Sequence, residues 1–175
     1  MERGLVHLYW GDGKGKTTCA LGLGLRVAGS GGGVLLAQFL KDNSGSERSA
    51  VARMPLFRCV PGPETIPFSV QMDETEKEKA RALCKDLFDR AVSACREGAY
   101  RLLILDELCA ALSEGFLEEG PVFAFLDQKP PALEVAITGR NPPPGLLARA
   151  DYITHFQEEK HPYRRGVGAR RGIEY

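Results

Sequence analysis

Trp10-Gly11-Asp12-Gly13-Lys14-Gly15-Lys16-Thr17-Thr18 is the stretch whose reading decides the fold. It lies between two segments of different character. Gly4–Trp10 (GLVHLYW) is a short apolar run that predicts a buried strand, and Lys16–Ala28 is an alanine- and leucine-rich segment that predicts a helix closed by Gly29. Strand, glycine-rich loop and helix, in that order, let successive backbone N–H groups and a helix N-terminus converge on phosphate oxygens. Gly11, Gly13 and Gly15 let the backbone come close without a Cβ in the way. Lys16 supplies a mobile positive charge for a phosphate, and the Thr17 hydroxyl suits a Mg²⁺ position. Two features depart from the general pattern: Trp10 stands where the first glycine would fall, and Lys14 is an extra lysine inside the loop. The loop points to a nucleoside triphosphate, ATP with Mg²⁺ or Mn²⁺. The alternative is a lysine-rich turn with no ligand.

Outward from the loop, strand and helix signals alternate. Gly31-Gly32-Gly33 is a turn before the apolar run Val34–Leu40, and Lys41–Arg53 is polar and loop-like in its first half. Pro55–Val60 reads as a third strand before the proline-rich stretch that runs from Pro61 to Pro67. The strongest helix signal is Glu74–Glu97: Asp73 and Glu76 form a capping box, Gly98 stops the helix, and Ala80, Leu83, Leu87, Ala91 and Ala94 mark a buried face. Then follow a strand at Arg101–Asp106, a helix at Pro121–Asp127 and a strand at Glu134–Thr138. A short helix at Leu146–Ala150, a strand at Tyr152–Phe156 and a polar, basic tail from Gln157 to Tyr175 complete the chain. Strands that are continuously apolar and alternate with helices predict an α/β, P-loop NTPase-like three-layer fold with a mainly parallel central sheet, one domain over residues 1–175. Ligands of such sheets sit at the carboxyl ends of the strands, where Trp10, Asp106 and Thr138 fall.

Composition excludes several classes. Lysine plus arginine equals aspartate plus glutamate at 23 each, so no overall field draws the chain to nucleic acid or to a membrane surface. No apolar run is long enough to span a bilayer, and Met1-Glu2-Arg3-Gly4 has no signal-peptide pattern, so the expected compartment is the cytoplasm. The five cysteines contain no Cys-x-x-Cys pair, which argues against a zinc site or a disulfide framework. Cys84 and Cys95 share a helix face with Phe88 and Val92 and read as core filler.

Asp106-Glu107 ends the run Leu102–Leu105, the place where a phosphate-loop protein keeps an acidic group next to its metal. A carboxylate that simply caps the following helix is the competing reading. Thr138-Gly139-Arg140 follows a strand and either delivers a guanidinium to phosphates or leaves a surface arginine. Lys160, His161, Arg164, Arg165, Arg170 and Arg171 cluster in the tail. With few aromatics among them, closure over an anionic substrate is favoured over a nucleic-acid patch.

These residues resemble one family, the P-loop-type corrinoid (cob(I)yrinic acid a,c-diamide or cob(I)alamin) adenosyltransferases. Its loop reads Gly-Asn-Gly-Lys-Gly-Lys-Thr-Thr, here Gly11 to Thr18 with Asp12 in place of asparagine. Further matching pieces are Arg26, Gln38-Phe39-Leu40-Lys41, Glu47-Arg48, Leu105-Asp106-Glu107-Leu108 and Ile137-Thr138-Gly139-Arg140. Ala150-Asp151, Lys160-His161-Pro162 and Gly172-Ile173-Glu174-Tyr175 extend the resemblance over nearly the whole chain.

The resemblance implies transfer of the 5′-deoxyadenosyl group of ATP to the cobalt of a reduced corrinoid, with release of triphosphate. It implies ATP held reversed, its γ-phosphate where ordinary P-loop proteins hold the α-phosphate. Carried over residue by residue, Lys16 and Glu107 are the catalytic candidates, and Thr17 and Glu107 the metal candidates. Gly11, Asp12, Gly13, Lys14, Gly15, Lys16, Thr17, Thr18, Arg26 and Arg140 are the candidates for binding ATP, and Phe68, within Pro63–Phe68 (PETIPF), for touching the corrinoid. A flavin-containing reductant and a homodimer are also implied. Two other classes stay open: a conventional P-loop NTPase or kinase that makes ADP, and a non-catalytic regulator that merely binds ATP.

Overall fold

Hydrogen-bonded registers join six strands into one sheet in the order β3-β2-β4-β5-β1-β6, with every pair parallel. The structure is a computed structural model, and it describes residues 3–42, 45–63, 72–98 and 100–174. The strands are β1 (Val6–Trp10), β2 (Val34–Gln38), β3 (Phe57–Cys59), β4 (Leu102–Asp106), β5 (Glu134–Gly139) and β6 (Tyr152–His155). The helices are α1 (Lys16–Gly29), α2 (Ser46–Val51), α3 (Glu74–Arg96), α4 (Leu108–Ser113), α5 (Glu119–Gln128) and α6 (Pro144–Leu147), with a 3-10 turn at Pro162–Arg165.

Successive strand residues point to opposite faces, and the sequence supplies apolar side chains to both. Leu35, Ala37, Leu103, Leu105, Val135 and Ile137 pack on one side with α3, α4 and α5. Val34, Leu36, Leu102, Ile104 and Ala136 pack on the other with Ala20 of α1, Val51 of α2 and Phe57. The expected three-layer arrangement is therefore present, and its sheet is parallel throughout the described residues. Each of the fully buried leucines and isoleucines in these strands stabilises the fold by about 1.5–3 kcal/mol.

The helix with the clearest signals forms as its sequence dictates. The Asp73 carboxylate accepts from Glu76 N at 2.8 Å, and Glu76 returns the bond to Asp73 N at 3.0 Å. Its buried face is Ala80, Cys84, Leu87, Phe88, Ala91, Val92 and Cys95, and Phe88 meets Phe125 of α5 edge-on at 6.0 Å. Leu83 is 37% exposed and lies at the flank, because Cys84 occupies the position on the stripe between Ala80 and Leu87. Cys84 and Cys95 are core residues, and burial pushes their thiols up to about 11 and about 12.

Other boundaries move for local reasons. β2 stops at Gln38 rather than Leu40, because Leu40 adopts a left-handed backbone (φ 55). The polar stretch after it contains α2, and α5 starts two residues before the expected Pro121. The last short helix runs Pro144–Leu147, opened by Pro144 at its first turn. α4 was not assigned bounds in the sequence and entered only through the competing reading in which a carboxylate caps a following helix. Among the described residues no helix is long and apolar enough to cross a membrane. Phe68 and the segment Glu64–Phe68 lie outside the described residues.

Candidate functional site

At the carboxyl end of β1 the chain leaves the sheet at Gly11 (φ 122), runs through the phosphate-type loop and enters α1 at Lys16. The loop lies against the chain that continues from β6. Phe156 N donates to the Trp10 carbonyl at 2.7 Å, Gly13 N donates to the Phe156 carbonyl at 2.8 Å, and Gly11 N donates to the Gly139 carbonyl at 3.2 Å. A Cβ on Gly11 would stand 2.2 Å from the Phe156 oxygen, and one on Gly13 within 2.9 Å of the Phe156–Gln157 backbone. These two glycines thus admit the protein's own chain across the back of the loop. Asp12 joins the same contact: its carboxylate accepts from Glu158 N at 3.1 Å, which holds it below the ordinary carboxylate range.

Lys16 is 8% exposed, and its Nζ donates to the Gly13 carbonyl at 2.9 Å. Burial lowers its pKa, while Glu107 opposes the shift. Lys14 and Thr18 are exposed at the loop surface. Thr17 turns inward and donates its hydroxyl to Asp106 Oδ1 at 2.7 Å.

Asp106 ends β4 and is wholly buried. Its carboxylate accepts from Thr17, from Thr138 Oγ1 at 2.7 Å, from Gln38 Nε2 at 3.1 Å and from Lys41 Nζ at 2.7 Å. Burial alone would raise its pKa, but Lys41 and the hydroxyl donors outweigh burial and leave it lowered. Gln38 in turn donates to Glu47 at 3.0 Å, and its side-chain oxygen accepts from Arg48 at 3.1 Å, so α2 is tied into the same network.

Glu107 follows with a left-handed backbone (φ 58) and opens α4. Its carboxylate makes no capping bond to that helix, so the simple cap reading does not describe it. Its backbone N–H donates to Thr138 Oγ1 at 2.9 Å. Burial first, and the neighbouring Asp106 second, raise its pKa against the pull of Lys41, Lys16 and Arg140.

A cavity of about 480 Å³ collects these groups. The loop contributes Asp12 through Thr18, the strand ends contribute Glu107 and Arg140, and the tail contributes Glu158, His161, Tyr163, Ile173 and Glu174. Of the six basic tail residues singled out in the sequence, His161 alone lines it. Arg170 instead pairs with Glu174 at 3.1 Å, so the tail also brings carboxylates to the cavity, which a count of basic residues did not foresee. Arg26 is exposed on α1 and is not among the lining residues. Sequence reasoning quoted Gln38, Lys41, Glu47 and Arg48 but gave them no role, and it read Asp106-Glu107 together as the acidic group near the metal while naming only Glu107 as its ligand. The signal in the sequence is a carboxylate at the end of an all-apolar strand, which needs partners when buried, but it does not say which residues supply them.

For a divalent ion the available donors are the Thr17 hydroxyl and the Asp106 and Glu107 carboxylates, all hard oxygen groups. Among the described residues no three His, Cys, Asp or Glu side chains form a metal cage. A site with one or two carboxylates, completed by substrate phosphates, fits Mg²⁺ rather than zinc.

Comparison with known proteins agrees with this geometry. The chain is 29% identical to the corrinoid adenosyltransferase of Pseudomonas aeruginosa over 179 residues, which cover 99% of this chain and 85% of that protein. It is likewise 29% identical to the corrinoid adenosyltransferase of Escherichia coli (strain K12) over 180 residues, 99% of this chain and 87% of that protein. The corrinoid adenosyltransferase CobA of Salmonella typhimurium matches at the same identity and coverage. Residues 2–175 match the family described as ATP:corrinoid adenosyltransferase BtuR/CobO/CobP, and the chain belongs to that family.

Proposed function

We propose that this chain transfers the 5′-deoxyadenosyl group of ATP to the Co(I) centre of a reduced corrinoid and releases triphosphate, in cobalamin biosynthesis or salvage. The observation that carries the reading is the convergence of Lys14, Lys16, Thr17, Glu107 and Arg140 on one cavity at the carboxyl ends of β1, β4 and β5, in a chain of this family. The cavity offers cations and hydrogen-bond donors, which suit a polyanionic leaving group. The nucleophile comes with the substrate. The Co(I) electron pair forms the bond to C5′, the C5′–O bond breaks, and its electrons leave on the triphosphate. The cobalt ends as an alkyl-Co(III), and no general base is required.

The protein's share of the work is to hold and orient. The loop N–H groups, Lys14, Lys16 and Arg140 grip the triphosphate, which lies reversed relative to ordinary P-loop proteins. Thr17 and Glu107, with the Asp106 carboxylate beside Thr17, would hold Mg²⁺ or Mn²⁺, which when bound neutralises charge on the departing triphosphate. Asp106 keeps the Thr17 hydroxyl turned inward by accepting its hydrogen bond. Lys16 is the residue on which retention of charge at the leaving group depends most. A homodimer, a flavin-containing reductant as the source of Co(I), and a cytoplasmic location complete the reading on the strength of family membership.

The test is anaerobic incubation of the purified chain with Mg-ATP and chemically reduced cob(I)alamin. Loss of the Co(I) spectrum with formation of adenosylcobalamin and triphosphate is the expected result. ADP and phosphate with the corrinoid untouched would assign the cavity to a conventional NTPase.

A further inference from the structure

After β2 the chain makes a turn that a leucine seldom adopts: Leu40 has φ 55. Backbone strain of that kind persists where the surroundings over-determine it. The turn returns Lys41 to the strand ends. Its Nζ donates to Asp106 Oδ2 at 2.7 Å and to Thr17 Oγ1 at 3.2 Å. Because the Thr17 proton points to Asp106 Oδ1, the hydroxyl presents a lone pair to Lys41. These are two of the oxygen groups that a phosphate-loop protein offers to a divalent ion. An ammonium is therefore seated on oxygens that a metal would use.

The two partners differ in freedom. The Asp106 side chain is 0% exposed and fixed by three further donors, whereas the Lys41 side chain is 32% exposed on a flexible four-carbon stem. The cation can leave by rotating its own bonds, and the carboxylate cannot follow. Glu107, at the cavity, lies within electrostatic reach of Lys41 and gives the ammonium a second anionic neighbour.

We propose that Lys41 is a tethered counter-ion: it holds the cation position between Thr17 and Asp106, and a divalent ion arriving with the nucleotide displaces it. The inference rests on Thr17 facing the metal. It has two consequences. The buried Asp106 charge is compensated before any metal arrives, so the site does not need the ion to fold. A divalent ion alone must first break an ion pair, so it binds weakly until a triphosphate adds its own oxygens and takes up the released ammonium. Lys41 is in these terms a positioning residue, acting through the metal and not on the reacting atoms.

The experiment uses the whole chain, without nucleotide, and Mn²⁺ as the probe, with free Mn²⁺ counted by electron paramagnetic resonance and folding followed by circular dichroism. Lys41→Met keeps the stem and removes the charge, and it should bind Mn²⁺ tighter by on the order of tenfold. Lys41→Arg keeps the charge and can grip the carboxylate with two parallel bonds, so its Mn²⁺ affinity should fall below that of the unaltered chain. A folded Lys41→Met with unchanged or weaker Mn²⁺ binding overturns the proposal. If that variant does not fold, a Lys41→Arg that binds Mn²⁺ as well as the unaltered chain overturns it instead. Thr17→Val separates the two layers of the argument. Loss of Mn²⁺ binding in Thr17→Val, without the Lys41 effects, removes this proposal alone. Unchanged binding there removes the metal reading of Thr17 and the proposal with it.

Discussion

Thr138→Val removes one hydroxyl from the middle of the site and almost nothing else. The side chain is wholly buried at the end of β5, and valine has the same shape. Its hydroxyl donates to Asp106 Oδ1 at 2.7 Å and accepts from Glu107 N at 2.9 Å. The first is a bond to a charged group, worth about 1.5–3 kcal/mol, and the second a neutral bond worth about 0.5–1.5 kcal/mol. The added methyl returns about 0.8 kcal/mol. The expected loss is roughly 1–4 kcal/mol, and with a urea slope near 2 kcal/mol per molar the unfolding midpoint should fall by about 1 M. Thr138→Ser is the control: it keeps both bonds and loses only a methyl, about 1 kcal/mol. Function should follow the same split. The bond to Glu107 N pins a residue whose backbone is left-handed, so Thr138→Val should lower kcat more than it raises the KM for ATP, and Thr138→Ser should not. Equal stability and equal kcat for the two variants would refute the idea that Thr138 holds Asp106 and Glu107 in place.

Lys16→Ala should weaken ATP binding and nearly abolish adenosyl transfer, measured by nucleotide titration and by formation of alkylated corrinoid; full activity would end its assignment. Glu107→Gln should reduce turnover more than corrinoid affinity, and the opposite order would place Glu107 at the corrinoid instead. Thiol labelling of the folded chain at mild alkaline pH should find Cys19, which is exposed, well before Cys84, Cys95 and Cys109, whose thiols burial holds at about 11, 12 and 12; early labelling of Cys109 would show that the floor of β4 and α4 opens readily. Asp106 is held below its ordinary pKa in the folded chain, so the unfolded chain binds the extra proton, and its contribution is complete above the ordinary carboxylate range and lost as pH falls through it. Glu107, held above its ordinary value, works with the opposite sign. The acid limb of stability against pH should therefore be shallower in Asp106→Asn, and an unchanged limb would locate the proton uptake elsewhere.

Local signals carried the reading of the fold a long way. The strand, loop and helix around Gly11–Thr18 and the capping box of α3 are each written within a few consecutive residues, and each formed where the spacing put it. α4 escaped because it opens with Glu107 in a left-handed conformation and carries no capping residue that its sequence could advertise. The glycines of the loop were readable as close-approach positions, but the group approaching Gly11 and Gly13 is the chain beyond β6, 145 residues away in the case of Gly11 to Phe156 (156 minus 11), and only folding reveals it. The Asp106 network was hidden for the same reason: Lys41 and Gln38 lie 65 and 68 residues from it. Arg26 matched by sequence, yet α1 carries it to an exposed position three turns beyond the loop.

The strand order has a consequence for how the site comes into being. β1 is made early, yet its two neighbours are β5 and β6, and Leu5 N donates to a Glu134 carboxylate 129 residues further on. As the chain emerges from the ribosome at roughly 5–20 residues per second, the strand that carries the phosphate loop waits many seconds for a partner. β2, β3 and β4 can pair with one another in the meantime. The nucleotide site is thus completed only when Phe156 crosses the loop and the tail reaches the cavity, and a nascent chain cut before β6 should have most of its sheet but a weaker grip on ATP.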